Sequence, residues 1–170
     1  MKVICWALLF AALAPTAAVA QLAPTNGFTE VDAARFRKLD ATLGRWQCQD
    51  HPAGSTADTI VTTREGNFYV SRETSGAPHT TYTRWSHALQ RYIATTLYDA
   101  GGTFIFTTTS EDPNNATWMP VFPPPGMMTA TQMLQSYTVR TAGETMTFAQ
   151  RYYDAMQVLQ SGSAVCTRTS

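Results

Sequence analysis

The sequence has little charge, and the charge that it has is balanced. Lysine plus arginine and aspartate plus glutamate number 12 each, so that only 14% of the 170 residues are charged and the formal net charge is zero. No stretch forms the basic stripe that binding to nucleic acid or to an anionic membrane normally requires. The composition therefore predicts no nucleic-acid partner.

Long apolar runs are missing after the first twenty residues. Within those residues Lys2 precedes the apolar run Val3–Leu13, Pro15 ends it, and Ala18-Val19-Ala20 is a small-x-small cleavage site, which is the pattern of a secretory signal. A run of about 11 residues is too short to cross a hydrocarbon core of ~30 Å. We expect a signal peptide over 1–20, a linker over 21–28 and one domain over 29–170. That domain is expected in the periplasm or outside the cell, with no integral membrane segment once the signal is cleaved.

Cysteine is scarce as well. Of the three cysteines, Cys5 lies in the signal segment, without the small-residue lipobox that lipidation needs, and Cys48 and Cys166 remain. Two thiols without metal-site spacing in an oxidising compartment predict a disulfide. The alternative is a reactive thiol, which needs a local base or a helix N-terminus beside it, and the sequence predicts neither. We expect a structural Cys48–Cys166 bridge.

Catalytic signatures are absent too. The sequence has no Gly-x-Ser-x-Gly, no His-Glu-x-x-His and no phosphate-binding loop, which are the motifs of several common enzyme classes. Its three histidines, His51, His79 and His87, match no zinc-site spacing. Positions at the surface or at strand ends are favoured for them, with haem ligation by His79 or His87 as the lesser alternative. We predict no catalytic residue, no metal site and otherwise no cofactor, which favours a protein that is not an enzyme.

One helix is predicted at the start of the domain. Thr29 and Asp32 have the spacing of a capping box, in which a hydroxyl and an acid three residues later satisfy each other's backbone N–H groups. Gly44 is expected to end the helix. Four apolar residues fall near one side of it: Val31, Phe36, Leu39 and Leu43.

After Gly44 the pattern changes to alternation of polar and apolar residues, rich in Thr, Tyr, Phe and Val, which is typical of strands. We predict strands near Arg45–Asp50, Asp58–Arg64, Asn67–Glu73, His79–His87, Arg91–Tyr98, Thr103–Thr109, Thr129–Arg140, Glu144–Tyr152 and Met156–Arg168. Many short strands joined by tight turns indicate an all-β fold, here a closed or nearly closed antiparallel barrel of 8–10 strands with one N-terminal helix. A further strand over Ala116–Val121 makes ten, the preferred number, because an even number lets the first and last strands pair antiparallel.

The two cysteines suggest how those strands pair. In an antiparallel pair the residue numbers of opposed residues have a constant sum, and 48 with 166 gives the same sum as 46 with 168. A disulfide between opposed cysteines would therefore place Trp46 opposite Arg168. At that distance a guanidinium can lie over an indole ring.

A helix, then Gly44-x-Trp46 on the first strand, and Arg168 on the last strand resemble the lipocalin and calycin barrels, and in particular small secreted bacterial lipocalin-like domains. The resemblance implies that the Trp closes one end of the barrel and that the late Arg covers it, so Gly44, Trp46 and Arg168 are the expected closure residues. It also implies a barrel that holds a small ligand.

The segment Trp118–Met128 contains three consecutive prolines, which predicts an extended loop or an edge. Trp118 and Phe122 within it either fill the core or form a lid at one open end of the barrel that controls access.

The predicted function is the binding, without turnover, of a small and largely apolar molecule. The candidate ligand-binding residues are Trp85, Tyr137, Phe148, Trp118 and Phe122, since a barrel of this size either fills its interior with aromatic side chains or holds one ligand. Two alternatives remain open. One is an isomerase- or hydrolase-type enzyme that uses a His or Asp at the barrel mouth, and the other is a structural or inhibitory module that uses the proline-rich segment as a contact surface.

Overall fold

Ten strands form one closed antiparallel barrel, as the sequence predicts. The computed structural model describes residues 29–51, 58–74, 78–122, 133–153, 156 and 158–169. Each strand pairs with its neighbours in the sequence, and β1 closes the sheet by pairing with β10. The elements are α1 (Glu30–Arg37), a 3₁₀ turn (Lys38–Thr42), β1 (Gly44–His51), β2 (Asp58–Glu65), β3 (Phe68–Glu73), β4 (His79–Ser86), β5 (Arg91–Tyr98), β6 (Thr103–Thr108), β7 (Asn115–Phe122), β8 (Met133–Ala142), β9 (Thr145–Tyr153) and β10 (Leu159–Thr169).

Helix α1 begins at the predicted capping box. The backbone N–H of Asp32 donates to the Thr29 hydroxyl at 3.1 Å, and the backbone N–H of Thr29 donates to the Asp32 carboxylate at 2.9 Å. The predicted apolar side is wrong at Val31, which is 62% exposed, and Asp32 is the buried residue of the first turn. Val31 and Phe36 are five residues apart, which separates them by about 140° around a helix. Asp32, Phe36 and Leu39 lie at the spacing of one face instead and are all buried.

The helical segment covers one end of the barrel, which we call the helix end. Side chains from five different strands donate hydrogen bonds to this segment, four of them from aromatic residues. The Trp46 indole donates to the carbonyl of Thr42 at 2.9 Å and the Tyr92 hydroxyl to that of Arg35 at 2.8 Å. The Tyr69 hydroxyl donates to Asp40, and the Trp85 indole donates to Asp32. We call the opposite end, where β1 ends and β2 begins, the loop end.

Strands β1 and β10 form the seam of the barrel with the predicted register. Cys48 is opposite Cys166, and the two form a disulfide. Trp46 is opposite Arg168, whose guanidinium carbon lies 4.6 Å from the centre of the indole ring. The guanidinium also donates to the carbonyl of Ala41 at 2.9 Å. Arg168 therefore connects the last strand to the segment that covers the helix end.

Gly44 is required by its backbone conformation. It lies between the 3₁₀ turn and β1 with φ of +114°, a region that residues with a side chain rarely adopt. A methyl group there would only meet Arg168 at ordinary contact distance, 3.9 Å. Backbone freedom at the start of β1, and not a lack of space, is thus the reason for glycine at this position.

The predicted strand over Ala116–Val121 is confirmed, since β7 spans Asn115–Phe122. The first five residues of the segment Trp118–Met128 are therefore strand and not loop. Pro120 is tolerated there because the pairing of β6 with β7 shifts register between Ile105 and Phe106, so the ladder is already irregular where the proline lies. Residues 123–128 lie outside the described part of the chain. Within that part, no helix is both long enough and apolar enough to cross a membrane.

Candidate functional site

A column of aromatic side chains runs inside the barrel from the helix end towards the loop end. Consecutive ring centres lie 4.8–6.5 Å apart from Trp85 to Tyr98, which is the range of favourable aromatic pairs. The imidazole of His79 continues the column, 4.9 Å from the Tyr98 ring. In order, the column consists of Trp85, Tyr92, Trp118, Tyr137, Phe106, Phe104, Tyr98 and His79.

The exposure of this column changes along its length. Trp85, Tyr92 and Trp118, nearest the helix end, are 5%, 0% and 3% exposed. The members towards the loop end, Phe104 and Tyr98, are only partly buried. Inward-facing side chains keep accessible surface only where the space beside them is not filled. The helix half of the barrel is therefore closely packed, and from the partly exposed rings we infer unfilled space in the loop half.

Tyr137 lies on the inner face of β8, beside Trp118 and Phe106. Its ring stacks on Trp118, with centres 5.8 Å apart and planes 5° from parallel, and its edge contacts Phe106 at 4.8 Å. Burial alone raises the pKa of its phenol well above the usual value. Its hydroxyl forms no hydrogen bond with another described residue. Since a buried hydroxyl normally has a partner, this one is a polar group that a bound molecule or water can satisfy.

The inner wall formed by β2 to β5 carries hydroxyl groups that satisfy one another. The hydroxyls of Thr62 and Ser71 are 2.9 Å apart across β2 and β3, and those of Thr81 and Thr96 are 2.8 Å apart across β4 and β5. Because each of these four hydroxyls has a partner, an apolar group can lie beside them without a large desolvation cost.

Acidic side chains border the same space near the loop end. Glu73 is the last residue of β3, and its carboxylate lies 3.7 Å from the His79 imidazole of β4. Burial, followed by the negative charge of Glu73, raises the pKa of Tyr98. Asp58, the first residue of β2, is opposite Cys48 and so faces the interior, and its buried Oδ1 has no hydrogen-bond partner.

The other acidic cluster in the barrel is structural and lies at the helix end. The Asp32 carboxylate accepts from the indole of Trp85 at 2.6 Å, contacts the ring of His87 at 2.9 Å and accepts from the Thr29 backbone and hydroxyl. The backbone N–H of Thr29 holds the pKa of Asp32 far below its usual value, and the Thr29 hydroxyl, His87 and Trp85 lower it further against the opposing effect of burial. Arg35 lies 4.3 Å from the Trp85 ring centre. Every polar atom here serves to hold α1 on the barrel.

Of the five predicted ligand-binding residues, Trp118 and Tyr137 stack on each other, whereas Trp85 lies at the helix end. Trp85 and Trp118 are packed in the helix half, where the Trp85 indole binds Asp32 and the Trp118 indole donates to the carbonyl of Pro113 at 3.3 Å. Of the two alternatives for Trp118, the structure shows the one in which it fills the core. Tyr137 and Phe148 do face the interior and keep some exposure. The side chain of Phe122 lies outside the described part of the structure.

Four residues of the loop half were not predicted as site residues: Asp58, Glu73, Tyr98 and Phe104. The sequence could have shown that they face the interior, because residues separated by an even number of positions on a strand lie on the same face. Glu73 has the same parity on β3 as the buried Tyr69, and Asp58 has that of Thr62 on β2. Once the disulfide fixes which face of β1 is inside, the pairing of successive strands carries that assignment around the barrel.

No group of three or more described His, Cys, Asp or Glu side chains could hold a metal ion. His79 and His87 lie at opposite ends of the barrel, and His87 is engaged by Asp32. Haem ligation by His79 stays an expectation from the sequence that no contact described here supports.

No protein-family model matches the chain, and no curated protein sequence is similar enough to count as a match. What the protein does must be inferred from the barrel itself.

Proposed function

We propose that this protein is an exported, calycin-like barrel that binds one small, largely apolar molecule in the loop half of its interior and does not transform it. The observation that carries the proposal is the change in exposure along the aromatic column. Trp85, Tyr92 and Trp118 are packed, whereas Tyr137 and Phe104 keep accessible surface inside the barrel. A barrel whose interior is only half filled by its own side chains has room for a ligand.

The closed helix end supports the same proposal. Trp46, Tyr69, Trp85 and Tyr92 fill this end, and each donates a hydrogen bond to the segment that covers it. A ligand would therefore enter from the loop end. It would meet the rings of Tyr98 and Phe104 first and the partnerless hydroxyl of Tyr137 at greater depth.

Export and family are proposed on three features. The disulfide is of the kind that persists in oxidising compartments. The first twenty residues have the pattern of a secretory signal, and Gly44, Trp46 and Arg168 have the arrangement that the lipocalin resemblance implies. A ten-stranded barrel is consistent with that resemblance.

A probe-binding experiment with a matched pair of variants tests the proposal. N-phenyl-1-naphthylamine, which fluoresces in apolar surroundings, is titrated into the mature protein. Ala164 faces inward opposite Phe148 on β9, and Ala149 is exposed on the outer face of the same two strands. Ala164→Phe should fill part of the space and weaken probe binding about tenfold or more, whereas Ala149→Phe should leave it unchanged.

The proposal fails if the wild-type protein does not enhance the probe's fluorescence, or if the two variants change binding equally. Thermal unfolding of each variant shows whether it is folded. Absence of turnover is tested separately, by mass spectrometry of the bound molecule after long incubation.

A further inference from the structure

The loop end of the barrel is acidic, because most cations of the domain lie towards the helix end, whereas acids occur at both ends. The sequence places no lysine or arginine in any connection at the loop end, over residues 52–57, 74–78, 99–102, 123–132 and 154–158. The halves of the strands nearest the loop end contain Arg72 on β3 and Arg151 on β9, and both are exposed on the outer face. The other cations of the domain lie in the helical segment or near the helix end. Four acids of the described residues belong to the loop end by their positions on the strands or beside them: Asp50, Asp58, Glu73 and Asp99.

Two of these acids face the interior beside the unfilled space. Glu73 is opposite Ile60, and Asp58 precedes Ile60 by two residues on the same face of β2. The two acids are thus diagonal neighbours on the inner wall, at backbone positions typically about 7–8 Å apart. The described inner-face positions of the loop half include no lysine or arginine, and the contact of Glu73 there is with His79.

The Asp58 carboxylate shows this imbalance most clearly. Its Oδ1 is buried and has no hydrogen-bond partner in the structure. A buried carboxylate oxygen without a partner is unfavourable, because burial removes its water and nothing replaces it. A cation or another donor supplied by a ligand would remove that cost.

Aromatic faces next to these acids favour the same kind of ligand. The Tyr98 ring lies 5.7 Å from that of Phe104 and 4.9 Å from that of His79, which in turn contacts Glu73. The faces of aromatic rings attract organic cations, and rings combined with carboxylates are a usual arrangement for binding ammonium groups. Further inside, the column offers only apolar surface and the hydroxyl of Tyr137.

We propose that the ligand is a small organic cation with a flat or otherwise apolar body, whose ammonium group lies near Glu73 and Asp58 and whose body packs against Tyr98, Phe104 and Tyr137. This assignment rests on the proposed function, since it names the ligand class of the same site. It also gives the acidic loop end a role, because a negative mouth raises the local concentration of a cation and speeds its entry.

A series of three naphthalenes that differ only in the charge of the head group tests the assignment. 1-Naphthylmethylamine is the cation, 1-naphthalenemethanol the neutral analogue and 1-naphthoate the anion. Their dissociation constants for the mature protein are measured by calorimetry at pH 8 and low salt. The amine should bind about tenfold more tightly than the alcohol, and the anion should bind more weakly than either.

Two variants that each neutralise one acid test whether the preference for the amine arises at Glu73 and Asp58. Glu73→Gln should lower the affinity for the amine about tenfold and leave that for the alcohol within about twofold. Glu111→Gln, which removes an exposed acid at the helix end, is the matched control and should change neither affinity. Asp58→Asn is the second site variant, and its effect should have the same sign as that of Glu73→Gln.

The assignment is overturned if the alcohol binds as tightly as the amine, or if Glu73→Gln and Asp58→Asn both leave the ratio of the two affinities unchanged. Either result would leave the proposed binding function standing. If none of the naphthalenes binds and the fluorescent probe does not bind either, both proposals fail. The comparison of the amine with the alcohol on the wild-type protein can overturn the assignment by itself. The test therefore does not depend on whether the variants fold.

Discussion

The indole N–H of Trp85 donates a 2.6 Å hydrogen bond to the carboxylate of Asp32, which lies 53 residues earlier in the chain. The same carboxylate caps α1 through Thr29 and contacts the ring of His87. One side chain therefore begins the helix and also attaches it to β4. A substitution that removes this carboxylate therefore removes both the helix cap and the attachment of the helix to β4.

The charge of Asp32 should make the protein sensitive to acid. Its pKa is lowered in the folded protein, so its contribution to stability is present above the pKa of the unfolded chain, about 3.9, and is lost as the pH falls further. The free energy of unfolding, measured between pH 7 and pH 2, should fall below about pH 4. Asp32→Asn should be less stable than wild type at pH 7 and should lose less stability on acidification.

Glu30→Gln is the control for this experiment, because it removes an exposed acid from the same helical turn. Its stability should follow that of the wild type at every pH. If the free energy of unfolding falls equally for wild type and Asp32→Asn as the pH is lowered, the acid sensitivity arises from other groups.

The disulfide should contribute to stability and not to ligand chemistry. It spans 118 residues of sequence, and a loop of that size predicts a stabilisation of about 3–5 kcal/mol through the unfolded state. Replacing Cys48 and Cys166 by Ser should lower the free energy of unfolding by about that amount. Probe affinity should be retained where the variant is still folded, and alkylation of the unreduced wild type should reveal no free thiol in the mature chain.

Trp46 and Arg168 should differ in their effects on stability. Trp46 is fully buried, so Trp46→Ala should cost about 3–5 kcal/mol as a large core truncation. Arg168→Ala should cost less, because it removes a cation–π contact of about 0.5–2 kcal/mol and one hydrogen bond at a partly exposed position. Arg168→Lys keeps the charge but loses the planar group, and a stability equal to that of wild type would show that the stacking contributes nothing.

Two tyrosines on the inner face, Tyr92 and Tyr137, allow a comparison between a hydroxyl that has a described partner and one that has none. Tyr92→Phe removes a hydroxyl that donates to Arg35 and should cost about 1 kcal/mol. Tyr137→Phe removes a hydroxyl without a described partner and should leave the free energy of unfolding unchanged or raise it. Equal losses in chemical denaturation would mean that the Tyr137 hydroxyl is satisfied within the folded protein and does not face free space.

Local sequence signals predicted much of this fold. The spacing of Thr29 and Asp32 predicted the start of α1, and the alternation of polar and apolar residues predicted the strands. Two cysteines and the Trp46–Arg168 pair predicted the register of the seam, because the register of an antiparallel pair is set by a single number. The site was harder to predict, since its residues come from strands that meet only after the barrel closes.

The errors have physical reasons. Trp85 and Trp118 look like ligand-binding residues in the sequence, because a strand pattern shows that a side chain faces inward but not how far along the barrel it lies. The second role of Asp32 could not be predicted either, since its capping motif gives no sign of an indole that arrives from 53 residues away. Val31 was misplaced because a polar residue took the buried position of the first helical turn.

The pairing of β1 with β10 has a consequence for how the protein behaves when it is stressed. A closed barrel has no free strand edges, and free edges are what recruit other chains into extended sheets. Opening this barrel at the seam would create two such edges at once, with β1 on one side and β10 on the other. The Cys48–Cys166 bridge joins these two strands covalently and keeps both edges paired. We therefore expect this protein to aggregate more readily in surroundings that reduce the bridge.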